Sequence, residues 1–151
     1  MPASLLLAVF FAAAPPPEAA RREFGTREEA EGLVVRAVAH IKDVGAKKAY
    51  KDFTDQTSAF VDRDLYVVVY DLEGRVLAHG QKASLVGESL LNVRDPSGKP
   101  WIKERVDLAK KKDRFWHDYK FLDPITKRSL EKSSYCERVE STVVCAGIYK
   151  R

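Results

Sequence analysis

The chain has 151 residues, 45% of them apolar and 32% charged, which suits one small core with a solvated surface and leaves no room for two comfortable domains. Lys and Arg number 26 against 22 Asp and Glu, a formal charge of +4, and acids are interspersed with bases almost everywhere, so the dense basic stripe of a nucleic-acid binder is excluded. Two cysteines and three scattered histidines (His40, His79, His117) do not furnish a structural metal site.

No charged side chain precedes Glu18, and Leu5 to Ala14 form an apolar run that ends in Ala12-Ala13-Ala14. The run reads as the apolar stretch of a secretory leader. Pro15-Pro16-Pro17 stops it well short of the roughly 20 apolar residues that a membrane helix needs. The expectation is a leader over residues 1–20 and one domain over 21–151 that is periplasmic or secreted, with no membrane span once the leader is removed. Ala20 is a second candidate end, because Pro15 directly after the alanines disfavours cleavage there.

Thr26-Arg27-Glu28-Glu29 has the pattern of a capping box. Ala30, Leu33, Val34, Ala37, Val38 and Ile41 then recur at intervals of three and four, one stripe of a long helix that Gly45 interrupts or ends. Ala46 to Phe53 reads as a further helical turn or two, and the polar stretch through Ser58 as a loop. From Leu65 the pattern changes. Leu65 to Tyr70 is β-branched and aromatic, Asp71-Leu72-Glu73-Gly74 is a turn, and Arg75 to His79 a returning strand. After a connection over residues 80–92 and a turn at Asp95-Pro96-Ser97-Gly98, a second helix carries Trp101, Ile102, Arg105, Val106, Leu108 and Ala109 on one face. Pro100 suits its first turn and Lys110-Lys111-Lys112 its C-terminal end. Strands over Arg114–Phe121, Leu130–Val139 and Thr142–Tyr149 complete an α+β domain: an antiparallel sheet of about five strands with the long helix against one face.

If Glu140-Ser141 is the tip of the last hairpin, Val139 faces Thr142 and Cys136 faces Cys145 on a non-hydrogen-bonded rung, where a cross-strand disulfide is feasible. A Glu-Ser tip is not a favoured two-residue turn, and a slip of one residue would part the thiols. Two small buried thiols packed in a sheet therefore stand as the competing reading.

From Leu65 onward the chain resembles the single Cache family of extracytoplasmic sensor domains. The resemblance rests on Leu65-Tyr66-Val67-Val68-Val69-Tyr70-Asp71, Gly74-Arg75-Val76-Leu77-Ala78-His79, Leu85-Val86-Gly87, Asp95-Pro96-Ser97-Gly98-Lys99-Pro100, Trp116-His117-Asp118-Tyr119, Lys132-Ser133-Ser134-Tyr135 and Ala146-Gly147-Ile148-Tyr149. It implies a PAS-like sheet whose concave face, roofed by loops and the short helix, holds a small ligand, commonly a short carboxylate. The family's usual setting is between two membrane helices of a receptor or kinase, whereas this chain has no second apolar segment and is more similar to a stand-alone secreted form.

A carboxylate pocket needs a cation or donors at one end and apolar walls elsewhere. Lys132 is the candidate cation, Tyr119, Tyr135 and His79 are candidate donors, and Trp101 and Trp116 candidate walls. Each has a plain structural alternative: a solvated lysine, core aromatics, an exposed turn histidine. Strand alternation puts Trp116 and Tyr119 on opposite faces, and likewise Lys132 and Tyr135, so they cannot all line one cavity. No nucleophile elbow, phosphate loop or paired carboxylates are present, so the expectation is binding rather than catalysis, with no cofactor. The partners expected are a carboxylate-like small molecule and an envelope protein. The alternative is an envelope interaction domain that kept the sheet and lost the pocket.

Overall fold

The computed structural model describes residues 23–151 apart from Ser58. The expected leader, residues 1–20, lies outside the described residues. Helix α1 (Arg27–Val44) begins at the capping box: Thr26 Oγ1 accepts from the Glu29 amide at 3.2 Å, and Glu29 Oε2 accepts from the Thr26 amide at 2.8 Å. Its stripe of Ala30, Leu33, Val34, Ala37 and Ile41 is buried. At Gly45 the backbone turns to φ 88°, which suits a residue without Cβ, and α2 (Ala46–Thr54) follows, burying Ala49 and Phe53.

The strand expected over residues 65–70 is divided. Leu65–Tyr66 (β2) pairs with Val61–Asp62 (β1) in a small ribbon, and Val68–Asp71 (β3) enters the main sheet. The cause lies at Arg63, which takes the left-handed conformation (φ 57°) and closes a two-residue turn. Its guanidinium donates to the Phe24 carbonyl at 2.9 Å, and Asp64 Oδ1 accepts from the Gly25 amide at 2.8 Å. This segment therefore forms a hairpin that the composition did not indicate.

β3 pairs with β4 (Val76–His79) around the Asp71–Gly74 turn, in which Asp71 Oδ1 accepts from the amides of Glu73 and Arg75, both at 2.9 Å. The connection to α3 (Trp101–Lys111) contains a single 3-10 turn, Ala83–Leu85. It is pinned at Asp95, whose Oδ1 accepts from the Ser97 and Lys99 amides and whose Oδ2 accepts from the Lys120 amide of the sheet. β5 (Arg114–Leu122), β6 (Ser129–Val139) and β7 (Thr142–Tyr149) form the meander, and β7 also pairs with β3. The five-stranded antiparallel sheet has the order β4-β3-β7-β6-β5.

Glu140 takes φ 52° at the tip of the last hairpin, the register aligns Cys136 with Cys145, and the two cysteines form a disulfide. Alternation of side chains gives the sheet two unlike faces. Val67, Val69, Ala78, Val144 and Ala146 pack against α1. The opposite face turns Tyr66, Tyr70, Tyr119 and Tyr149 towards Trp101, Ile102 and Val106 of α3.

Candidate functional site

The α3 face of the sheet holds two buried cations. Lys132, on β6, is the register partner of Tyr119 on β5 and of Tyr149 on β7, so the three form one row across the sheet. It is 2% exposed. Its ammonium donates to Tyr66 Oη at 2.8 Å and lies 4.0, 4.8 and 5.7 Å from the ring centres of Tyr66, Tyr149 and Phe121. The Tyr66 and Tyr149 hydroxyls are 2.9 Å apart, and Tyr149 donates to the Leu122 carbonyl at 2.7 Å. Donor order follows: Lys132 to Tyr66, Tyr66 to Tyr149, Tyr149 to Leu122, each hydroxyl giving one proton and accepting one.

Arg105 stands on the inner face of α3, one turn after Trp101, and is 1% exposed. Its guanidinium carbon lies 4.6 Å from the ring centre of Tyr119, 5.4 Å from Trp101 and 5.5 Å from Tyr70. Nε and Nη2 are buried with no hydrogen-bond partner. Neither Arg105 nor Lys132 pairs with an acid within 4.0 Å among the described residues. Asp64, an acid whose charge reaches Lys132, has both oxygens engaged, Oδ1 by the Gly25 amide and Oδ2 by Arg151 at 2.7 Å.

Burial and the nearby Arg105 charge pull the Lys132 ammonium below its ordinary value, outweighing Tyr119 and Asp64. Burial alone would raise the Tyr119 phenol, but Lys132 and Arg105 overcome it and bring the hydroxyl down to about 8. His79 is held neutral, near 3, by burial and by the charges of Lys132, Lys82 and Arg105. Its Nδ1 accepts from the amides of Gln81 (3.2 Å) and Lys82 (3.0 Å), which puts the ring proton on Nε2, and the ring stacks on Tyr66 at 5.5 Å. His117 stacks on Tyr119 at 5.9 Å with Nε2 on Glu104 at 3.2 Å. Burial and Arg105 lower it to about 4, against the opposing pull of Glu104.

The rings pack closely over both cations. A groove of about 290 Å³ lies outside this cluster, between the connection before α3 and β5, with Leu85, Leu90, Val93, Trp101 and Phe121 among its walls; neither cation lines it.

Of the residues proposed from sequence, the structure gathers His79, Trp101, Tyr119 and Lys132 on this face. Trp116 and Tyr135 are on the other. Trp116 Nε1 donates to Glu31 on α1 at 3.2 Å, Arg27 stacks 3.6 Å over its ring, and Tyr135 donates to Glu137 at 2.8 Å. Their side chains have the opposite parity along β5 and β6, so these two do not share the cavity with Lys132. Sequence reasoning missed Arg105, Tyr66, Tyr70, Phe121 and Tyr149 as site residues. The available signal was Arg105 itself, a charge in the middle of the apolar stripe of Trp101, Ile102, Val106 and Ala109.

An antiparallel sheet covered by a long helix on one face and by a short helix with loops over an aromatic, cationic cluster on the other defines a sensor domain of the Cache class. The chain belongs to the Single Cache domain 2 family, which matches residues 21–149. Among solved structures it is similar to a methyl-accepting chemotaxis protein from Vibrio parahaemolyticus RIMD 2210633 (TM-score 0.71, 24% identity, 82% of this chain and 87% of that chain). It is also similar to the periplasmic sensor domain of a chemotaxis protein (TM-score 0.65, 28% identity, 82% and 90%). A Cache chemosensory domain studied for carboxylic acid recognition shares the fold (TM-score 0.69, 19% identity, 82% and 92%). By sequence, 95 residues are 30% identical to the sensor histidine kinase MctS of Rhizobium johnstonii (strain DSM 114642 / LMG 32736 / 3841), covering 62% of this chain and 20% of that protein. The matched region therefore spans about a fifth of that relative. Among the described residues no helix is long and apolar enough to cross a membrane.

Proposed function

We propose that residues 21–151 form an exported sensor domain, preceded by a leader over residues 1–20, which captures a short organic acid on the α3 face and presents the bound state to an envelope partner. Binding is the function, without catalysis. The observation that carries this reading is the pair Lys132 and Arg105, both buried and neither matched by an acid. Burying a charge without a counter-charge costs several kcal/mol, so a face organised only for stability would hold apolar residues there. Aromatic faces attract a cation without neutralising it, and an anionic ligand supplies the missing charge. His79 Nε2–H and the Tyr119 hydroxyl are the neutral donors of the site, and Trp101 is a wall. The similarity to a Cache domain studied for carboxylic acid recognition supports the choice of organic acids for the first screen.

The test is a thermal-shift screen of acetate, propionate, pyruvate, lactate, amino acids and urea. A ligand at 100 times its Kd stabilises the native state by about 2.7 kcal/mol, several degrees for a domain of this size. No shift with any of them at millimolar concentration would favour the alternative, an envelope interaction domain whose pocket is filled by its own rings.

A further inference from the structure

We infer that Tyr119 is the internal counter-ion of Arg105 and Lys132: when no anion is bound, its O–H bond breaks, the proton passes to bulk water, and the buried phenolate balances the two cations. The consequence for acid capture rests on the preceding reading of the α3 face, whereas the ionisation itself does not.

The groups that bear on the Tyr119 oxygen are donors. Ser134 Oγ donates to it at 3.4 Å, and the charged ends of Lys132 and Arg105 both act on it. Among the described residues no acceptor takes its proton. The neighbouring phenols differ: Tyr66 gives its proton to Tyr149, and Tyr149 gives its own to the Leu122 carbonyl. A buried oxygen that accepts without donating is in the setting of an oxyanion, because donors aimed at it favour the charged form. Position singles out the same residue. Lys132 is its register partner across β5 and β6, and the Arg105 guanidinium carbon lies 4.6 Å from its ring centre. By ring contact Tyr66 and Tyr149 belong to Lys132, and Tyr70 to Arg105. Tyr119 is thus the phenol that both cations reach, and neither has an acid within 4.0 Å among the described residues.

The other titratable groups around it leave this role to Tyr119. From β5 comes the stacked His117, neutral with a value of about 4 and bonded to Glu104 of α3. From β4 comes His79, neutral near 3. Tyr66 on β2, Tyr70 on β3 and Tyr149 on β7 are all raised, by burial first, and a negative charge on Tyr119 raises each of them further. Asp64, whose charge reaches Lys132, is held by Arg151. Burial opposes ionisation of Tyr119 as well, but Lys132 and Arg105 overcome it and bring the value to about 8. One phenolate therefore forms on this face, and its charge keeps the remaining phenols neutral. A captured anion would use the same two cations, so it competes with the phenolate and capture weakens as the pH rises through 8.

The experiment is an ultraviolet pH titration of the full chain without added ligand, following the absorbance that phenolates have and phenols lack, beside Tyr119→Phe. The expected result is one equivalent of phenolate with a midpoint near 8, about two pH units below a free tyrosine, and no such step in Tyr119→Phe. Lys132→Met and Arg105→Gln each remove one flanking charge and should move the midpoint up by about 1–3 pH units. Circular dichroism checks that the variants fold; should they not, the titration of the native chain decides alone. A native chain with no phenolate below about pH 9, the result if Lys132 gives up its proton instead, would overturn the inference. So would an early step that survives in Tyr119→Phe, or a midpoint unmoved in both folded charge variants. A blank thermal-shift screen leaves the ionisation standing, and a missing phenolate leaves acid capture standing, so the two failures are distinct.

Discussion

Replacing Lys132 with methionine tests the electrostatic account of the site through stability alone. The ammonium is 2% exposed, has no acid partner within 4.0 Å among the described residues, and is offset by three ring faces, the Tyr66 and Tyr119 hydroxyls and the more distant charge of Asp64. Its ordinary value of 10.5 is lowered in the fold, by burial first, so those contacts do not repay the lost hydration. Met is close in length, keeps the contact with the rings and leaves no orphan, because Tyr66 and Tyr149 still bond to each other at 2.9 Å. Exchanges of buried charged groups for apolar residues of similar volume are often stabilising by about 1–4 kcal/mol. At ~3 °C per kcal/mol, Lys132→Met should melt roughly 3–12 °C above the native chain at pH 7 in the absence of ligand, and it should lose any acid-dependent shift. The sign with pH is also fixed. Because folding lowers the value, the unfolded chain binds more protons in the window just below 10.5, so the native chain gains stability there as pH rises and the gap to the variant narrows. Differential scanning calorimetry at pH 7 and pH 9.5 reads both effects. A variant that melts lower at pH 7, with a gap that does not close towards pH 9.5, would show that the ammonium is satisfied in the free domain and would refute the reasoning.

Acid should weaken the domain through His79, whose folded value near 3 against 6.5 in the unfolded chain gives stability that is full above pH 6.5 and lost as pH falls through it towards 3. By pH 4.5 the loss from this residue is about 2–3 kcal/mol, and denaturant midpoints should fall less steeply for His79→Gln, which accepts the same amides without titrating; an unchanged slope would exclude His79 as the source. Reducing Cys136–Cys145, nine residues apart in sequence, should lower stability by about 2.5 kcal/mol if the bridge acts through loop closure, read as a drop in melting temperature with dithiothreitol that a Cys136→Ala/Cys145→Ala chain does not show. Glu140→Gly relieves a non-glycine residue at φ 52° and should stabilise by about 0.5–1 kcal/mol in urea; a loss instead would mean that the Glu140 side chain makes a compensating contact.

Local rules made most of the architecture legible. The capping box, the stripe from Ala30 to Ile41, the turn at Asp71–Gly74 and the last hairpin are short-range patterns, and each element formed at or near its expected bounds. The β1–β2 ribbon was not legible, because it depends on Arg63 reaching the Phe24 carbonyl and Asp64 reaching the Gly25 amide, both 39 residues away. The site was half legible for a related reason. Parity along β5 and β6 already separated Tyr119 and Lys132 from Trp116 and Tyr135, but parity does not say which face gathers the buried cations. That choice is made by α3 packing across the strands and bringing Arg105 over Tyr119. Tyr66 and Tyr149, 83 residues apart, meet only because the last strand inserts beside the first hairpin.

The distribution of charge explains why the fold tolerates so costly a face. Against α1 the sheet presents Val67, Val69, Ala78, Val144 and Ala146, all 2% exposed or less, and this layer carries stability independent of the opposite side. On the α3 side the buried acids close enough to matter are already committed. Asp64 and Asp123 share Arg151, at 2.7 and 2.5 Å, and Arg151 itself stacks 3.7 Å over Phe24. Had either acid turned inward to Lys132, the cation would be neutralised within the fold and an anion would gain little by entering. Holding both acids on Arg151 while lining the cations with rings keeps the positive charge unmatched, and the stability forgone there is the same free energy that a bound anion can recover.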